Sequence, residues 1–356
     1  MDHNPYIRSG KAAVLVDGQF GSTGKGLLAA YLAEQPENEI DYAVTNASAN
    51  AGHWTKYKDK EGFCCFHMPT FGVIQEHSTI YINAGAIIHP GILLKELDML
   101  NISHHRVTIH PNAAIIRDED IQQEKDQDSG ASNIASTQKG VGQALINKIG
   151  RKVLNVASNC SVLQHMVGTI ELNDELAQGA KVSIEVPQGY SLSINSEFYP
   201  HTTSRQCTVN QGLSDANVHP SFLGSVSQSM RTYPIRVGHI YDDAGHITGH
   251  SGNVYFDQRE ITWGDLGVTP ELTTVTGRVR RIFTWSWQQY ENSIRDNRPT
   301  HLFINFLNYM REDIIAINLI DEINRVYEDI MGHKATLIYG RGPNVEDVST
   351  SMYIER

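Results

Sequence analysis

The sequence predicts an α/β fold in which a large, mostly parallel sheet is flanked by helices, with excursions over the sheet edge. Between residues 11 and 100, short apolar runs typical of buried strands alternate with helix-like segments, which is the pattern of βαβ units. A glycine-rich loop follows the first of these strands, as in P-loop nucleotide-binding proteins. No internal repeat or low-complexity linker divides the sequence, so we expect one domain over residues 1–356.

The individual elements follow from the spacing of apolar residues. The first strand is expected at 12–16, and the glycine-rich loop leads from it into a helix at 25–35. Residues 117–133 are polar and charged, and we interpret them as a solvated helix or a loop. Residues 232–276 are expected to form the excursions. Further strands are expected at 42–46, 80–84, 182–186, 301–308 and 335–339, and further helices at 90–100 and 311–331.

The composition argues against several classes of protein. A formal charge of −11 at pH 7 argues against a general binder of nucleic acids or membrane surfaces, which recruit phosphates with excess Lys and Arg. The four cysteines do not have the spacing of a disulfide framework or a metal site. The sequence shows neither a signal peptide nor an apolar run long enough to span a membrane. We therefore expect a globular cytoplasmic protein without nucleic-acid or membrane partners.

The glycine-rich loop, residues 17–26 (DGQFGSTGKG), predicts a phosphate site. Glycines between a strand and a helix let the backbone N–H groups and the helix N-terminus face an anion, and Lys25 adds a positive charge. The loop departs from the standard P-loop, because Gln19 stands where that motif has Gly and Gly26 stands where it has a hydroxyl. The alternative is a tight turn with no chemical role.

Several later segments carry residue types suited to a nucleotide. His53 follows Gly52 after the second strand and can exchange a proton near neutral pH, whereas most histidines are solvated or structural. Gln188 can read a base edge through its amide. Residues 135–142 (ASTQKGVG) and 199–204 (YPHTTS) offer hydroxyl groups, although plain loops explain both equally well. Arginines cluster at 278–281 (RVRR), a pattern suited to carboxylates or phosphates or, alternatively, to a solvated basic surface.

In this order, these blocks resemble the adenylosuccinate synthetase family over nearly the whole chain. Residues 19–26 (QFGSTGKG) resemble that family's Q-W-G-D-E-G-K-G, and residues 50–53 match its N-A-G-H. Residues 185–189 (EVPQG) resemble its E-G-A-Q-G, and residues 276–281 (TGRVRR) its T-G-R-R-R-R. The family joins aspartate to a purine nucleoside monophosphate: a nucleoside triphosphate phosphorylates the purine O6, and the aspartate amine then displaces that phosphate.

The resemblance also implies roles for individual residues. Ser22, Lys25 and His53 are assigned to catalysis, Ser22 and the Gly52 carbonyl to Mg²⁺, and a homodimer is implied in which Arg151 reaches across the interface. The triphosphate and phosphate contacts are assigned to Gly21, Ser22, Thr23, Gly24, Lys25, Gly26, Gly52, His53, Thr55, Asn308, Gly340, Gly342 and Pro343. The monophosphate contacts are assigned to Ser22, Asn50, Ser136, Thr137, Arg151, Gln188, Thr203 and Arg278, and the aspartate contacts to Thr276, Arg278 and Arg280.

Two departures from the family pattern predict changed substrates. Ser22 replaces the family's catalytic aspartate, a general base typically worth about 10²–10⁴ in rate, and leaves room beside purine N1 for a 2-amino group. This is what the viral branch of the family implies, with dGMP as substrate and N6-succinyl-2-amino-2′-deoxyadenylate as product, in the cytoplasm of a host cell. Asn308 replaces an aspartate that pairs with guanine, so we expect ATP or dATP as donor instead of GTP.

The route of the N1 proton stays open, because water, a phosphate oxygen or a neighbouring side chain could accept it. Asp17 is the nearest carboxylate along the chain, but it could instead cap the loop. Two other functions remain as alternatives: an ordinary adenylosuccinate synthetase acting on IMP, and a catalytically inactive nucleotide-binding protein.

Overall fold

A sheet of nine strands lies at the centre of the protein. The computed structural model describes residues 6–57, 60–126, 134, 136–273 and 277–352. The strands are β1 (Lys11–Asp17), β2 (Tyr42–Thr45), β3 (His53–Tyr57), β4 (Lys60–Cys65), β5 (Thr79–Ile82), β6 (Ile87–Ile88), β7 (Val107–Ile109), β8 (Ala114–Ile115), β9 (Lys181–Glu185), β10 (Leu223–Arg231), β11 (Ile235–Arg236), β12 (Ile240–Tyr241), β13 (Ile247–Gly249), β14 (Glu260–Ile261), β15 (Arg281–Phe283), β16 (His301–Asn305), β17 (Thr336–Gly340) and β18 (Val348–Ser349). The helices are α1 (Lys25–Ala33), α2 (Thr70–Ile74), α3 (Pro90–Leu100), α4 (Asp118–Lys125), α5 (Val141–Ile149), α6 (Leu172–Ala177), α7 (Val209–Asp215), α8 (Trp263–Leu266), α9 (Trp287–Asn297) and α10 (Asp313–Met331).

The nine strands lie in the order β18-β17-β16-β10-β1-β9-β2-β5-β7. All neighbours run parallel except the edge pair of β17 and β18. Parallel neighbours need long crossover connections, which the helices between the strands supply. The predicted α/β class is therefore confirmed, whereas the single domain over residues 1–356 stays a prediction.

The central strand β1 is covered on both faces. Ala13 and Leu15 belong to the apolar cluster that includes α1 and α2, whereas Ala12, Val14 and Val16 pack on the other face with α6 and α7. A strand buried on both faces reads as a continuous apolar run, which explains why the sequence reveals it. The loop that follows β1 is thereby attached to the most buried part of the sheet.

Strand β10 was missed by sequence reasoning, although it pairs directly with β1. Its buried side chains include Ser225, Ser227, Gln228 and Ser229, so it lacks the apolar run on which strand prediction relies. The Gln228 amide finds partners inside the protein, because its Nε2 donates to Ser293 Oγ at 2.9 Å. Hydrogen bonds of this kind offset the free-energy cost of burying a polar side chain.

Three other expectations need adjustment. The strand predicted at 301–308 ends at Asn305, since Phe306 adopts a φ of 61° and a short 3₁₀ helix follows at Leu307–Tyr309. Residues 117–133 contain α4, and 127–133 lie outside the described residues. Of the predicted excursion 232–276, residues 232–273 leave the central sheet, but they carry β11 and β14, which pair with β15, and the hairpin of β12 and β13; residues 274–276 lie outside the described residues.

Two expectations from composition can be compared with the structure. Cys64, Cys65, Cys160 and Cys207 are all free, as their spacing predicts. Within the described ranges, no helix combines the length and the apolar character needed to cross a membrane.

Candidate active site

The predicted site segments meet at one edge of the central sheet, where its parallel strands end. The glycine loop follows β1, and residues 46–53 follow β2. Gln188 lies just after β9, and residues 306–308 and 341–343 lie after β16 and β17. Carboxyl ends of parallel strands share one edge, which is where α/β sheets bind ligands. We call this the carboxyl edge, and the glycine loop lies within it because β1 is an interior strand.

Asp17 holds the glycine loop in shape. Its Oδ1 accepts hydrogen bonds from the backbone N–H groups of Gln19 at 2.8 Å and Gly21 at 3.2 Å, and its Oδ2 accepts from Thr23 Oγ1 at 2.5 Å. The side chain is buried, so these bonds replace its hydration. Asp17 therefore acts as the cap of the loop, which was one of the two roles considered for it.

The loop opens into the N-terminus of α1. Gly24 adopts a φ of 87°, and no side chain caps the helix there, so the first N–H groups of α1 are left for a ligand. Asn305, at the end of β16, donates from Nδ2 to the Thr23 carbonyl at 3.2 Å, and a β carbon at position 24 would overlap this amide. The predicted arrangement of strand, glycine loop and helix is therefore present, with Gly26 buried in the first helical turn, whereas phosphate binding by this loop stays a prediction.

Ser22 and Lys25 lie at the mouth of this loop. Ser22 is exposed, has a φ of 58°, and its carbonyl accepts a hydrogen bond from Arg231 Nη1 at 3.1 Å. The backbone of Ser22 is therefore held in place, while the residue itself is exposed. Lys25 Nζ donates to the Gln188 carbonyl at 3.1 Å, which joins the loop to the segment after β9.

His53 begins β3, and its imidazole lies in a dry environment. Burial lowers the pKa of His53 to about 4, and the charge of Lys25 lowers it further, against the opposing effects of Glu96 and a hydrogen bond to the Met68 backbone. Its Nε2 is buried and has no hydrogen-bond partner within the described residues. A neutral imidazole with an unpaired nitrogen is poised to meet a polar ligand, and a bound anion would raise its pKa.

Gly52 and Thr55 flank His53. A β carbon at position 52 would lie 2.9 Å from Cys64 Sγ and 3.0 Å from the Phe66 ring, so only glycine fits beneath the hairpin of β3 and β4. Thr55 lies two residues farther along β3.

Asn50 and Gln188 lie side by side at the carboxyl edge. Gln188 Nε2 donates to Asn50 Oδ1 at 2.8 Å, and Ser48 Oγ donates to the same oxygen at 2.7 Å. Gln188 adopts a φ of 71°, an uncommon conformation for a side chain other than Gly, Asn or Asp. Its Nε2 is therefore engaged, which leaves its Oε1 to contact a ligand.

The other residues assigned to the monophosphate lie on separate segments. Ser136 Oγ accepts from the Gln138 backbone at 3.3 Å in the loop before α5, which also contains Thr137. The Thr203 N–H donates to the Leu192 carbonyl at 2.9 Å. Arg151 follows α5, has a φ of 59°, and is exposed.

The described residues on either side of 274–276 are held together by hydrogen bonds. The Thr273 N–H donates to the Arg278 carbonyl at 2.8 Å, and Arg278 Nη1 donates to the Gly238 carbonyl at 3.2 Å. Arg280 Nε donates to the Leu272 carbonyl at 3.2 Å, and burial lowers the pKa of Arg280 to about 10. Thr276 lies in residues 274–276, outside the described residues.

Arg281 differs from its two neighbours. Its guanidinium makes hydrogen bonds of 2.9 and 2.7 Å with the Glu260 carboxylate, and Nη1 also donates to the Gly252 carbonyl at 2.7 Å. This arginine is engaged in joining β15 to β14 and the preceding loop.

Arg231, which sequence reasoning missed, connects the glycine loop to the arginine segment. It is fully buried at the end of β10 and forms hydrogen bonds of 2.6 and 3.2 Å with the Glu271 carboxylate. Its guanidinium also stacks 3.8 Å from the centre of the Phe306 ring. Neither Arg231 nor Glu271 belongs to a recognisable motif, so no sequence signal pointed to them.

The segments assigned to the donor base lie beside β16 and β17. Asn308 is exposed on the 3₁₀ helix after Phe306. Gly340 packs so closely on Asn305 that a side chain would overlap it, and Gly342 is similarly close to Asp347. The loop with Gly342 and Pro343 is thereby held near Asn308.

Comparison with known proteins points to one family. The family model for adenylosuccinate synthetase matches residues 14–164 and 157–324. The N6-succino-2-amino-2′-deoxyadenylate synthase of Salmonella phage PMBT28 is 36% identical over 370 residues, covering 96% of this chain and 98% of that protein. The enzyme of the same name from Acinetobacter phage SH-Ab 15497 is 34% identical over 380 residues, covering 96% and 94%.

Solved structures agree with this result. The succinoaminodeoxyadenylate synthetase (PurZ) of Cyanophage S-2L, bound to dGMP and to dATP as an energy donor, superposes with a TM-score of 0.82 at 32% identity and covers 95% of each chain. A fully ligated adenylosuccinate synthetase from Plasmodium falciparum has a TM-score of 0.73 at 16% identity, covering 95% of this chain and 99% of that one, and supports the fold alone.

Proposed function

The chain belongs to the adenylosuccinate synthetase family, and we propose that it joins L-aspartate to dGMP at the expense of ATP or dATP. The products are N6-succinyl-2-amino-2′-deoxyadenylate, the nucleoside diphosphate and phosphate. The observation that carries the proposal is Ser22, which occupies the loop position of the family's aspartate and presents a small, uncharged side chain to the site. The viral relatives named for this product support the same substrate.

Phosphoryl transfer comes first in the proposed reaction. The N–H groups of the glycine loop and of the first turn of α1 hold the triphosphate, and Lys25 adds a positive charge. The purine O6 attacks the γ-phosphorus as N1 gives up its proton to water or a phosphate oxygen, the bond from the γ-phosphorus to the bridging oxygen breaks, and the nucleoside diphosphate leaves. His53 meets the transferring group through its unpaired Nε2 and takes up a proton as negative charge gathers beside it.

The second step replaces this phosphate. The amine of aspartate attacks purine C6, the C6–O6 bond breaks, and inorganic phosphate leaves with both electrons of that bond. Arg278 and Arg280 are suited to hold the aspartate carboxylates because guanidinium groups bind carboxylates bidentately, and Thr276 is proposed to assist them. Removal of the N1 proton does not fall to Asp17, since both of its oxygens are engaged in the loop.

Mg²⁺ is proposed to enter with the triphosphate. Gly52 is half-buried and has no side chain to shield its carbonyl oxygen, and the exposed Ser22 supplies a hydroxyl as a second oxygen. Within the described residues, no group of three or more His, Cys, Asp or Glu side chains could hold a metal. These residues fit an ion that takes most of its ligands from phosphates and water, as Mg²⁺ commonly does. When bound, the ion neutralises charge on the phosphates.

A homodimer is also proposed, and an exposed apolar surface supports it. Ile146, Ile149, Val153 and Leu154 lie within five residues of Arg151 along the chain, and each of the four is at least 60% exposed. Contiguous exposed apolar groups commonly mark an interface. In such a dimer Arg151 enters the partner's site and binds the phosphate of its dGMP.

The decisive experiment measures phosphate release with L-aspartate, ATP and either dGMP or IMP, with the product identified by mass. We expect a succinylated product with dGMP. The matched variant Ser22→Asp restores the family residue at a position whose φ of 58° Asp tolerates. It should lose activity on dGMP and gain activity on IMP.

Turnover of IMP alone by the unmodified protein would overturn the substrate assignment and favour an ordinary adenylosuccinate synthetase. No release with either nucleotide, with dATP tested as well, would favour an inactive nucleotide-binding protein. Comparing ATP, dATP and GTP in the same assay tests the proposed role of Asn308 in donor choice.

A further inference from the structure

The Asn50 amide is held by two hydrogen-bonded side chains, Ser48 and Arg205, which we call the relay. Neither of the two belongs to a motif recognised in the sequence. Arg205 Nη2 donates to Ser48 Oγ at 3.0 Å, and Ser48 Oγ donates to Asn50 Oδ1 at 2.7 Å. Arg205 Nη1 is fixed by the Gly85 carbonyl at 2.7 Å. Ser48 is 1% exposed and Arg205 8% exposed, so water does not compete for these bonds.

The proton count of the relay determines which way the Asn50 amide faces. A guanidinium has only donors, so Ser48 must accept from Arg205 and has a single proton of its own to give. The atom of Asn50 that receives this proton must be its oxygen, which also accepts from Gln188 Nε2 at 2.8 Å. With the amide reversed, the Ser48 proton would lose its acceptor. The NH₂ group of Asn50 is therefore directed away from the relay.

The charges around the relay favour an anion in front of Asn50. Asp215 Oδ2 accepts from Asn46 Nδ2 at 2.5 Å, and its carboxylate faces the charges of both Arg205 and Lys148. One carboxylate thus compensates two cations within this cluster. The uncompensated positive charge attracts a phosphate at the nearby carboxyl edge.

We propose that Ser48 and Arg205 are positioning residues for the nucleoside monophosphate: they fix the Asn50 amide so that its NH₂ group donates to the phosphate. The inference rests on the proposed function for the identity of the monophosphate as dGMP. According to this inference, affinity for the monophosphate depends on Ser48 and Arg205, which do not contact the substrate themselves but orient Asn50.

The test is a double-mutant cycle with Ser48→Ala and Asn50→Ala. Loss of one hydrogen bond to a charged group corresponds to roughly a tenfold change, so we expect Ser48→Ala to raise KM for dGMP about tenfold. KM for ATP and for aspartate should stay unchanged. If Ser48 acts through Asn50, Ser48→Ala should have no further effect on KM for dGMP in the Asn50→Ala background.

The matched control is Ser227→Ala, which removes another fully buried hydroxyl, on β10, outside the relay. It should leave all three KM values unchanged. Should Ser48→Ala fail to fold, as judged by thermal unfolding, Arg205→Lys takes its place in the cycle, because it keeps the charge but loses the fork geometry.

An unchanged KM for dGMP, an equal rise in all three KM values, or the same effect with and without Asn50 would each overturn the proposal. Use of IMP in place of dGMP by the unmodified protein would overturn the proposed function instead. The same cycle, run with IMP, would then still test the relay, since both nucleotides carry the 5′-phosphate.

Discussion

Replacing Asp17 separates the two roles that a buried carboxylate beside the glycine loop can have. Asp17→Ala removes the acceptor for the N–H groups of Gln19 and Gly21 and for the Thr23 hydroxyl. Asp17→Asn keeps an oxygen for the two N–H groups. Thr23 can then accept from the new NH₂ group and donate to Ser229 Oγ, which lies 2.6 Å away.

The expected magnitudes follow from these contacts. Thr23 can turn its hydroxyl to Ser229 in Asp17→Ala, so two N–H groups lose their acceptor. Leaving a buried polar group unsatisfied costs about 1–3 kcal/mol, so these two amount to roughly 2–6 kcal/mol. An unfolding entropy of about 2.1 cal/mol/K per residue gives roughly 0.75 kcal/mol/K for this chain, so the melting temperature should fall by about 3–8 °C. Asp17→Asn should lose only about 1–3 °C on the same scale.

Thermal unfolding and steady-state phosphate release, measured on the same preparations, provide the assay. A loop cap predicts that activity follows stability, so Asp17→Asn should keep at least about a tenth of kcat, because its loop is still formed. If Asp17→Asn kept its melting temperature but lost about 10²–10⁴ in kcat, Asp17 would be the general base and our interpretation would be refuted.

Three further predictions concern charged groups of the site. His53 has a pKa of about 4 in the folded protein and an ordinary pKa of 6.5 in the unfolded chain, so the unfolded chain binds more protons as the pH falls from 6.5 to 4. The free energy of unfolding should therefore decrease over this pH range, and it should decrease more in the unmodified protein than in His53→Gln. Urea unfolding at several pH values measures the difference. Arg231→Leu removes the ion-pair partner of Glu271, which keeps only its hydrogen bond from Tyr309, and should destabilise the protein by about 3 kcal/mol in urea unfolding, with partial recovery in the double variant Arg231→Leu/Glu271→Leu. Arg151→Ala should raise KM for dGMP about tenfold, since it removes a charge-assisted contact to the substrate of the partner subunit. The melting temperature should stay unchanged, because Arg151 is exposed. An unchanged KM would contradict the role of Arg151 across the dimer.

Much of the fold could be predicted because its signals are local. The predicted strands at 12–16, 42–46, 80–84, 182–186 and 335–339 are confirmed within two residues at each end, since apolar runs report burial directly. Strand β10 could not be predicted, because Ser225, Gln228 and Ser229 are buried polar residues whose hydrogen-bond partners are supplied only by the folded protein. Polar burial leaves no apolar pattern to detect.

The candidate site divides in the same way. By itself, the sequence determined the glycine loop between strand and helix and the neutral side chain within it: strand, glycines, Lys25 and helix are contiguous, and the identity of Ser22 is independent of the fold. Only the tertiary structure decided that Asp17 caps the loop, that Arg231 joins it to Glu271, 40 residues away, and that Arg205 supports Ser48 across 157 residues. These contacts form only when the ends of the parallel strands come together at one edge of the sheet, and no local pattern in the chain records them.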